Sequence, residues 1–103
     1  MRNLILLLAS LPLIATAATP TPERQAALLH LLKQDCGSCH GMTLQGGLGS
    51  PLTSQALEDR PPESLVQTIL QGRPGTAMPP WNTFISEDEA RWLVEMLQQG
   101  KIP

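Results

Sequence analysis

The sequence predicts an all-α domain with three main helices joined by long loops, and three observations support this class. Apolar residues recur at helical spacing near the C-terminus, where one stripe comprises Ala90, Leu93, Val94 and Leu97. No segment alternates apolar and polar residues well enough to indicate a strand. Glycine and proline, at 8 and 10 of 103 residues, cluster between the helical segments and mark loops there.

Residues 1–17 show the three-part pattern of a secretory signal peptide. A basic start precedes an apolar run over residues 4–14, and Ala15 and Ala17 supply the small residues of a cleavage site. The run is shorter than the roughly 20 apolar residues that a membrane anchor needs. We therefore expect cleavage after Ala17, a single mature domain of residues 18–103 in the bacterial periplasm, and no stable membrane insertion.

Each predicted helix has a recognisable start. Thr21 can cap the first helix, and Gly37 is expected to end it. A glycine-rich loop with a short helical turn near residues 54–58 follows. Pro62 opens the second helix, which Gly72 ends, and a proline-rich loop leads to the third. That last helix starts with a capping box formed by Ser86 and Glu89.

Charge and cysteine content narrow the function classes. The mature chain of 86 residues carries six basic and nine acidic side chains, a formal charge of −3. No basic excess is therefore available for binding nucleic acid. The two cysteines lie within one five-residue stretch and cannot cross-link distant parts of the chain. Because a domain of this size buries a thin core, we expect a bound cofactor to support it.

The chemistry is concentrated in the motif Cys36-Gly37-Ser38-Cys39-His40. C-x-x-C-H is the attachment pattern of a c-type haem. Two thiols three positions apart in a helix can reach the same edge of a porphyrin, and His40 can then offer a neutral nitrogen to the iron. A redox dithiol would not need the histidine, and a structural zinc site would need a second pair of ligands. We predict one covalent haem c, held by Cys36 and Cys39, with His40 as the proximal axial ligand.

The distal axial ligand must come from another segment. The candidates are His30, Met42, Met78 and Met96. Met42 is too close to His40 in sequence to reach the opposite face of a haem. Met96 lies within the last helix, and a lone His30 is more simply a helix contact. Met78 follows small residues and precedes two prolines, which hold the loop stiffly, so we predict that it is the distal iron ligand.

Trp81 lies three residues after Met78, and we predict that it packs beside the haem on the methionine side. Its indole would bury apolar area and could donate its N–H to a propionate or a carbonyl. The alternative is an exposed tryptophan at a docking surface. Few charges lie in the two loops around the motif, so we expect docking to be mainly apolar. The expected rim comprises Met42, Leu44, Leu48, Ala77, Pro79 and Pro80.

With these residues in place, the mature chain resembles the small monohaem class I cytochromes c along essentially its whole length. The resemblance rests on a helix running into the C-x-x-C-H motif, a glycine-rich loop, a middle helix, a Met-Pro segment and a final helix. It implies the class I cytochrome c fold, in which the first and last helices cross around the haem. Leu28 and Leu32 should then face the last helix near Leu93 or Val94.

One segment departs from the family pattern. The family usually has Gly-Pro-x-Leu after the haem motif, with the proline carbonyl accepting a hydrogen bond from the ligand histidine. Here Ser50 takes the place of that proline and is followed by Pro51. A carbonyl acceptor is still available at Ser50, which Pro51 holds extended. The sequence leaves open which carbonyl orients His40.

Residues 39–49 and 71–81 more narrowly resemble the NirC-type cytochromes, which are found with the haem-containing nitrite reductase of denitrifying bacteria. The resemblance implies electron donation to that reductase. Because His40 and Met78 would fill both axial positions, we expect a non-enzymatic, monomeric carrier of single electrons by outer-sphere transfer. Its partners would be an upstream donor and that reductase. One alternative is an accessory factor in late maturation of the reductase's second haem. Another is a haem-based ligand-binding or sensor module. Both alternatives would require Met78 to leave the iron.

Overall fold

The computed structural model of the protein describes residues 4–13 and 18–103, and its ordered elements are helical. The α-helices are α1 (Pro22–Leu31), α2 (Gly37–His40), α3 (Ser54–Leu57), α4 (Pro62–Gln71) and α5 (Glu87–Gln98). A π-helical turn, Leu32–Cys36, joins α1 to α2. Over the two described ranges there is no strand, so the all-α prediction is confirmed.

The first helical region is longer than predicted. Thr21 caps α1, because its side-chain oxygen accepts a hydrogen bond from the Arg24 N–H at 3.3 Å. The prediction that Gly37 ends the helix is wrong. Gly37 has helical angles (φ −62, ψ −26) and is buried, and the chain turns only at Gly41, where φ is +94. Helical structure therefore runs through the whole C-x-x-C-H motif to His40.

The C-terminal helix α5 is the element on which α1, α3 and α4 pack. Its capping box is formed as predicted. The Ser86 side chain accepts from the Glu89 N–H at 3.2 Å, and the Glu89 carboxylate accepts from the Ser86 N–H at 2.9 Å. One face of α5 packs against α1, α3 and α4. This arrangement places the core around a single helix and leaves the C-x-x-C-H region beside it.

The hydrophobic core joins the first and last helices. Leu28 and Leu32 are at most 2% exposed and belong to the same cluster as Leu93 and Val94 of α5. The expected packing of the first helix against the last is confirmed. The described residues include no buried polar or charged side chain. In the described ranges, no helix has both the length and the apolar character required to cross a bilayer.

Residues 4–13, the described part of the predicted signal peptide, have no regular secondary structure. Their side chains are exposed and contribute nothing to the core cluster. The predicted cleavage site at residues 15–17 lies outside the described residues. The domain boundary after residue 17 remains a prediction.

Candidate functional site

A single cleft brings together the five predicted site residues. It has a volume of about 550 Å³ and is lined by Cys36, Cys39, His40, Met78 and Trp81, among others. That volume lies in the range of roughly 300–1,000 Å³ that is common for ligand sites. One side is formed by the end of the π-helical turn, α2 and residues 48–50 of the glycine-rich loop, and the other by the loop between α4 and α5. The fold thus brings two segments far apart in sequence face to face.

A smaller apolar cavity of about 70 Å³ shares four of the same residues, Cys36, His40, Met78 and Trp81. The rest of its lining is hydrocarbon from the loops and the core: Leu32, Leu52, Leu57, Leu65, Ile69, Ile85, Leu93, Val94 and Leu97. The outer cleft, in contrast, also has Arg73 and Asp35 in its lining. The site therefore offers apolar walls inside and charged groups outside. This suits a flat amphipathic group such as a porphyrin with carboxylates at one edge.

The His40 ring is held by a backbone carbonyl. Its Nδ1 lies 2.6 Å from the Ser50 oxygen, and because a carbonyl can only accept, Nδ1 carries the proton. In the neutral ring, Nε2 is then the nitrogen without a proton, and an iron ligand needs such a nitrogen. Gly49 permits this approach, since a Cβ there would lie 2.8 Å from the His40 Nδ1. The sequence left open which carbonyl orients His40, and in the structure it is the carbonyl of Ser50.

The two thiols differ in environment. Cys36 is half-buried and Cys39 is exposed, and neither is in a disulfide. Burial, with a smaller effect from the nearby Asp35 carboxylate, raises the pKa of the Cys36 thiol to about 11. Cys36 is consequently a neutral thiol near pH 7, which is compatible with its partly apolar surroundings.

Met78 lines both cavities, whereas the other candidate distal ligands line neither. Met42 is 63% exposed, Met96 lies on α5, and His30 is exposed on the last turn of α1. The donor set around the cleft is therefore two thiols, one imidazole and one thioether. These are the groups that attach and ligate a c-type haem with histidine and methionine, so the residues present fit that cofactor.

Trp81 is half-buried and lines both cavities. Its backbone N–H donates to the Ile69 carbonyl at 3.0 Å, which anchors the residue to α4. Its ring centroid lies 6.0 Å from that of Phe84, at an interplanar angle of 56°. Phe84 is 64% exposed, so the indole separates the cleft from a solvent-facing aromatic ring.

Three of the six residues of the predicted apolar rim line the cleft. Leu44 is buried at 8% exposure and is not a rim residue. Leu48, Ala77 and Pro79 line the cleft, while the exposed Met42 and Pro80 lie outside its lining. Sequence reasoning missed Asp35, which also lines the cleft. Its position directly before Cys36 is the signal that could have identified it.

The chain is similar to known cytochromes. A family model described as cytochrome c oxidase, cbb3-type, subunit III, matches residues 23–97. Cytochrome c55X of Pseudomonas aeruginosa is 60% identical over 83 residues, 81% of this chain and 70% of that protein. Cytochrome c55X of Paracoccus denitrificans is 50% identical over 97 residues, 94% of each chain.

Two solved structures are similar in fold to this chain. One, described as the c-type cytochrome NirC, is 59% identical and aligns with a TM-score of 0.79, covering 81% of this chain and 98% of the other. The second is described as dihydro-heme d1 dehydrogenase NirN in complex with DHE. It is 34% identical and aligns with a TM-score of 0.62, covering 68% of this chain and 15% of the dehydrogenase.

Proposed function

Since this chain belongs to the c-type cytochromes, in the family of cbb3-type cytochrome c oxidase subunit III, we propose that it carries single electrons to the haem-containing nitrite reductase of denitrification. The cofactor of this family is a covalently bound haem c, which supplies one-electron chemistry when bound. Cys36 and Cys39 would hold it through thioethers, and His40 and Met78 would ligate its iron.

The observation that carries the proposal is the placement of His40 and Met78 on different segments of one cleft. With an imidazole and a thioether both used as ligands, no coordination position is left for a substrate. A histidine–methionine ligand pair also favours a relatively high reduction potential, as an acceptor of electrons from a quinol-oxidising complex requires.

The surrounding residues support the same role. The apolar walls of the inner cavity exclude water from the buried side of the site. The Ser50 carbonyl holds the His40 ring in one orientation and tautomer. A ligand set that moves little between oxidation states favours rapid outer-sphere transfer. The residues of this chain therefore act by binding, orienting and excluding water.

The assignment of nitrite reductase as the acceptor has separate support. One similar structure is described as NirC, and the two loops that carry the narrower resemblance, residues 39–49 and 71–81, supply the walls of the cleft. Loops bordering a redox site are the surface that a partner would contact. The acceptor is therefore proposed from the similarity of those loops.

The test is electron transfer between purified proteins. The reduced cytochrome is mixed in a stopped-flow instrument with oxidised haem-containing nitrite reductase, and with a periplasmic cytochrome c peroxidase as a control acceptor. We expect rapid oxidation by the reductase, coupled to nitrite consumption, and much slower oxidation by the peroxidase. Equal rates with both acceptors, or none with the reductase, would contradict the proposed partner.

A second candidate function is a role in maturing the reductase's second haem, favoured by the similarity to a domain of a dihydro-haem d1 dehydrogenase. Such a role would require Met78 to leave the iron so that another molecule can approach. Carbon monoxide binding to the reduced protein separates the candidates. Resistance to carbon monoxide supports the carrier, and ready binding supports the accessory role.

We also propose that residues 1–17 are a signal peptide and that the mature protein is periplasmic. The exposed apolar segment 4–13, which adds nothing to the core, supports this assignment. Intact-mass spectrometry of the protein recovered from a periplasmic extract is the test. We expect the mass of residues 18–103 with one haem. An uncleaved chain would contradict the assignment.

A further inference from the structure

Gly72 lies where α4 ends and where the segment carrying Met78 returns to it. Its backbone has φ +68 and ψ −169, and its N–H donates to the Thr68 carbonyl at 2.9 Å. A Cβ at this position would lie 2.6 Å from the Met78 carbonyl oxygen, 2.7 Å from the Pro79 carbonyl carbon and 2.8 Å from the Pro80 nitrogen. All three are backbone atoms, so no side-chain rotation can relieve the contact.

Backbone hydrogen bonds hold the segment that follows Met78 to α4 and to the residue just beyond its end. The Arg73 N–H donates to the Met78 carbonyl at 3.1 Å, and the Trp81 N–H donates to the Ile69 carbonyl at 3.0 Å. The Asn82 N–H donates to the Leu70 carbonyl at 3.3 Å. Because Trp81 and Asn82 are held to α4, a side chain at Gly72 would push the Met78 and Pro79 backbone away from α4 and stretch the hydrogen bond from Arg73 to the Met78 carbonyl.

We infer that Gly72 is the positioning residue for the distal ligand. Because Gly72 has no side chain, the Met78 backbone can lie against the end of α4. This contact sets how far the Met78 thioether enters the cleft. This inference rests on the proposed ligation by Met78. It assigns a role in the redox site to a residue that does not line the cleft, acting through backbone contact alone.

Gly75 provides a matched control within the same loop. It also has positive φ, +78, but a Cβ there meets nothing within 4 Å. A substitution at either glycine places a side chain in the left-handed region that L residues rarely adopt. Only the substitution at Gly72 adds the collision with Met78, Pro79 and Pro80. Gly75→Ala therefore controls for a side chain at positive φ in this loop, and Gly72→Ala adds the collision to it.

The experiment compares Gly72→Ala, Gly75→Ala and the unmodified protein as haem-loaded full chains. Three readouts are used: the weak far-red absorbance of ferric methionine-ligated haem, the midpoint potential, and carbon monoxide binding to the reduced form. We expect Gly72→Ala to lose most of the far-red band, to shift the potential downward and to bind carbon monoxide faster. Gly75→Ala should keep the band and the potential while unfolding at a lower temperature.

Two results would overturn the inference: unchanged band and potential in Gly72→Ala, or equal shifts in both variants. Gly72→Asn and Gly75→Asn repeat the comparison with a second side chain at each position. If neither Gly72 variant folds while both Gly75 variants do, Gly72 supports the whole domain and the specific role is wrong.

Met78→Ala separates this inference from the proposed function. If Met78→Ala keeps the far-red band, the proposed ligation is wrong whatever Gly72 does. If Met78→Ala loses the band and Gly72→Ala keeps it, ligation stands and only the positioning role fails.

Discussion

Met78 and Met96 are both partly buried methionines, and their places in the fold separate them. Met78 lines the cleft beside His40, whereas Met96 lies on α5 and lines neither cavity. A thioether is a weaker donor than imidazole and favours the reduced iron, so its loss should lower the potential. Of these two methionines, only Met78 lines the cleft in which the proposed haem ligands lie.

We predict that Met78→Ala lowers the midpoint potential and removes the far-red absorbance of the oxidised protein, while Met96→Ala leaves both unchanged. Redox titration followed by optical spectroscopy measures both quantities. Met96→Ala is the matched control because it removes a thioether of the same size from a position that lines neither cavity. The reverse pattern would transfer the ligand role to Met96.

Trp81 lies between the cleft and the exposed Phe84, so its substitution should affect the site more than the surface. We predict that Trp81→Phe shifts the potential and lowers the thermal stability but leaves the rate of transfer to the reductase nearly unchanged. Trp92→Phe on α5, which lines neither cavity, should leave the potential unchanged. A large fall in the transfer rate with an unchanged potential would instead make Trp81 a docking residue.

At the scale of the elements, an ion pair connects α1 to the N-terminus of α5. Arg24 of α1 forms an ion pair with Glu89 of the capping box and donates to the Phe84 carbonyl at 2.9 Å. The hydrogen bond from Arg24, with that from the Ser86 N–H, lowers the pKa of Glu89 to about 2. The carboxylate thus serves the cap and the contact between the two helices together.

This lowered pKa predicts a pH-dependent contribution to stability. A carboxylate whose pKa falls from about 4.5 to about 2 on folding stabilises the protein above pH 4.5 and loses that effect as the pH falls towards 2. Glu89→Gln keeps the capping hydrogen bonds but removes the charge. Because the charge is lost, we expect the Tm of this variant to be lower at pH 7. The difference should be only about 2–5 °C, since the ion pair with Arg24 is partly exposed.

The difference in Tm between Glu89→Gln and the unmodified protein should shrink as the pH is lowered from 4.5 to 2. Thermal unfolding followed by circular dichroism measures it. Glu95→Gln, at an exposed position on the same helix, is the control and should show little difference at any pH. A Glu89 difference that stays constant with pH would show that the charge is not its cause.

At the scale of the whole molecule, the charges that line the cleft are few and balanced. One cation, Arg73, and one anion, Asp35, line it. Among the acidic residues of α4 and α5, Glu63, Glu87 and Asp88 surround Arg91 at 2.7, 3.3 and 3.9 Å and are partly neutralised by it. The exposed cleft residues Leu48, Ala77 and Pro79 suit a small, transient apolar contact.

We therefore predict that transfer to the reductase changes by less than about tenfold between low and high ionic strength. Stopped-flow rates across a salt series measure the change. Arg73→Gln and Asp35→Asn, which alter the cleft charge in opposite directions, should both transfer at nearly the rate of the unmodified protein. A steep loss of rate with salt, or opposite effects of the two variants, would favour electrostatic steering instead.

The thin core also predicts that the cofactor supports folding. The described core is a single cluster around α5, and the inner cavity opens into it. Cys36→Ala combined with Cys39→Ala should abolish covalent haem retention and cooperative unfolding, whereas Ser38→Ala, which keeps both thiols, should preserve both. Denaturation followed by circular dichroism tests this. A haem-free double variant that unfolds cooperatively would show that the polypeptide core suffices.

The sequence alone determined the features that depend on neighbouring residues. The all-α class, the Thr21 cap, the capping box at Ser86 and the C-x-x-C-H motif each involve groups within four positions of one another. Local hydrogen bonds and helical spacing create such features, so they can be read along the chain. Met78 was predicted on similar grounds, from the prolines beside it, and the structure places it in the cleft.

Only the tertiary structure decided the features that depend on contact between distant segments. Gly37 is helical and buried, with Met42 atoms 3.6 Å from the place of its missing Cβ, and the chain turns only at Gly41. Leu44 is buried rather than exposed, and Ser50 supplies the carbonyl for His40. Gly72 touches the Met78 backbone only because the chain returns to the end of α4. These outcomes follow from packing in three dimensions, where a side chain is excluded or admitted by atoms that are not its neighbours in sequence.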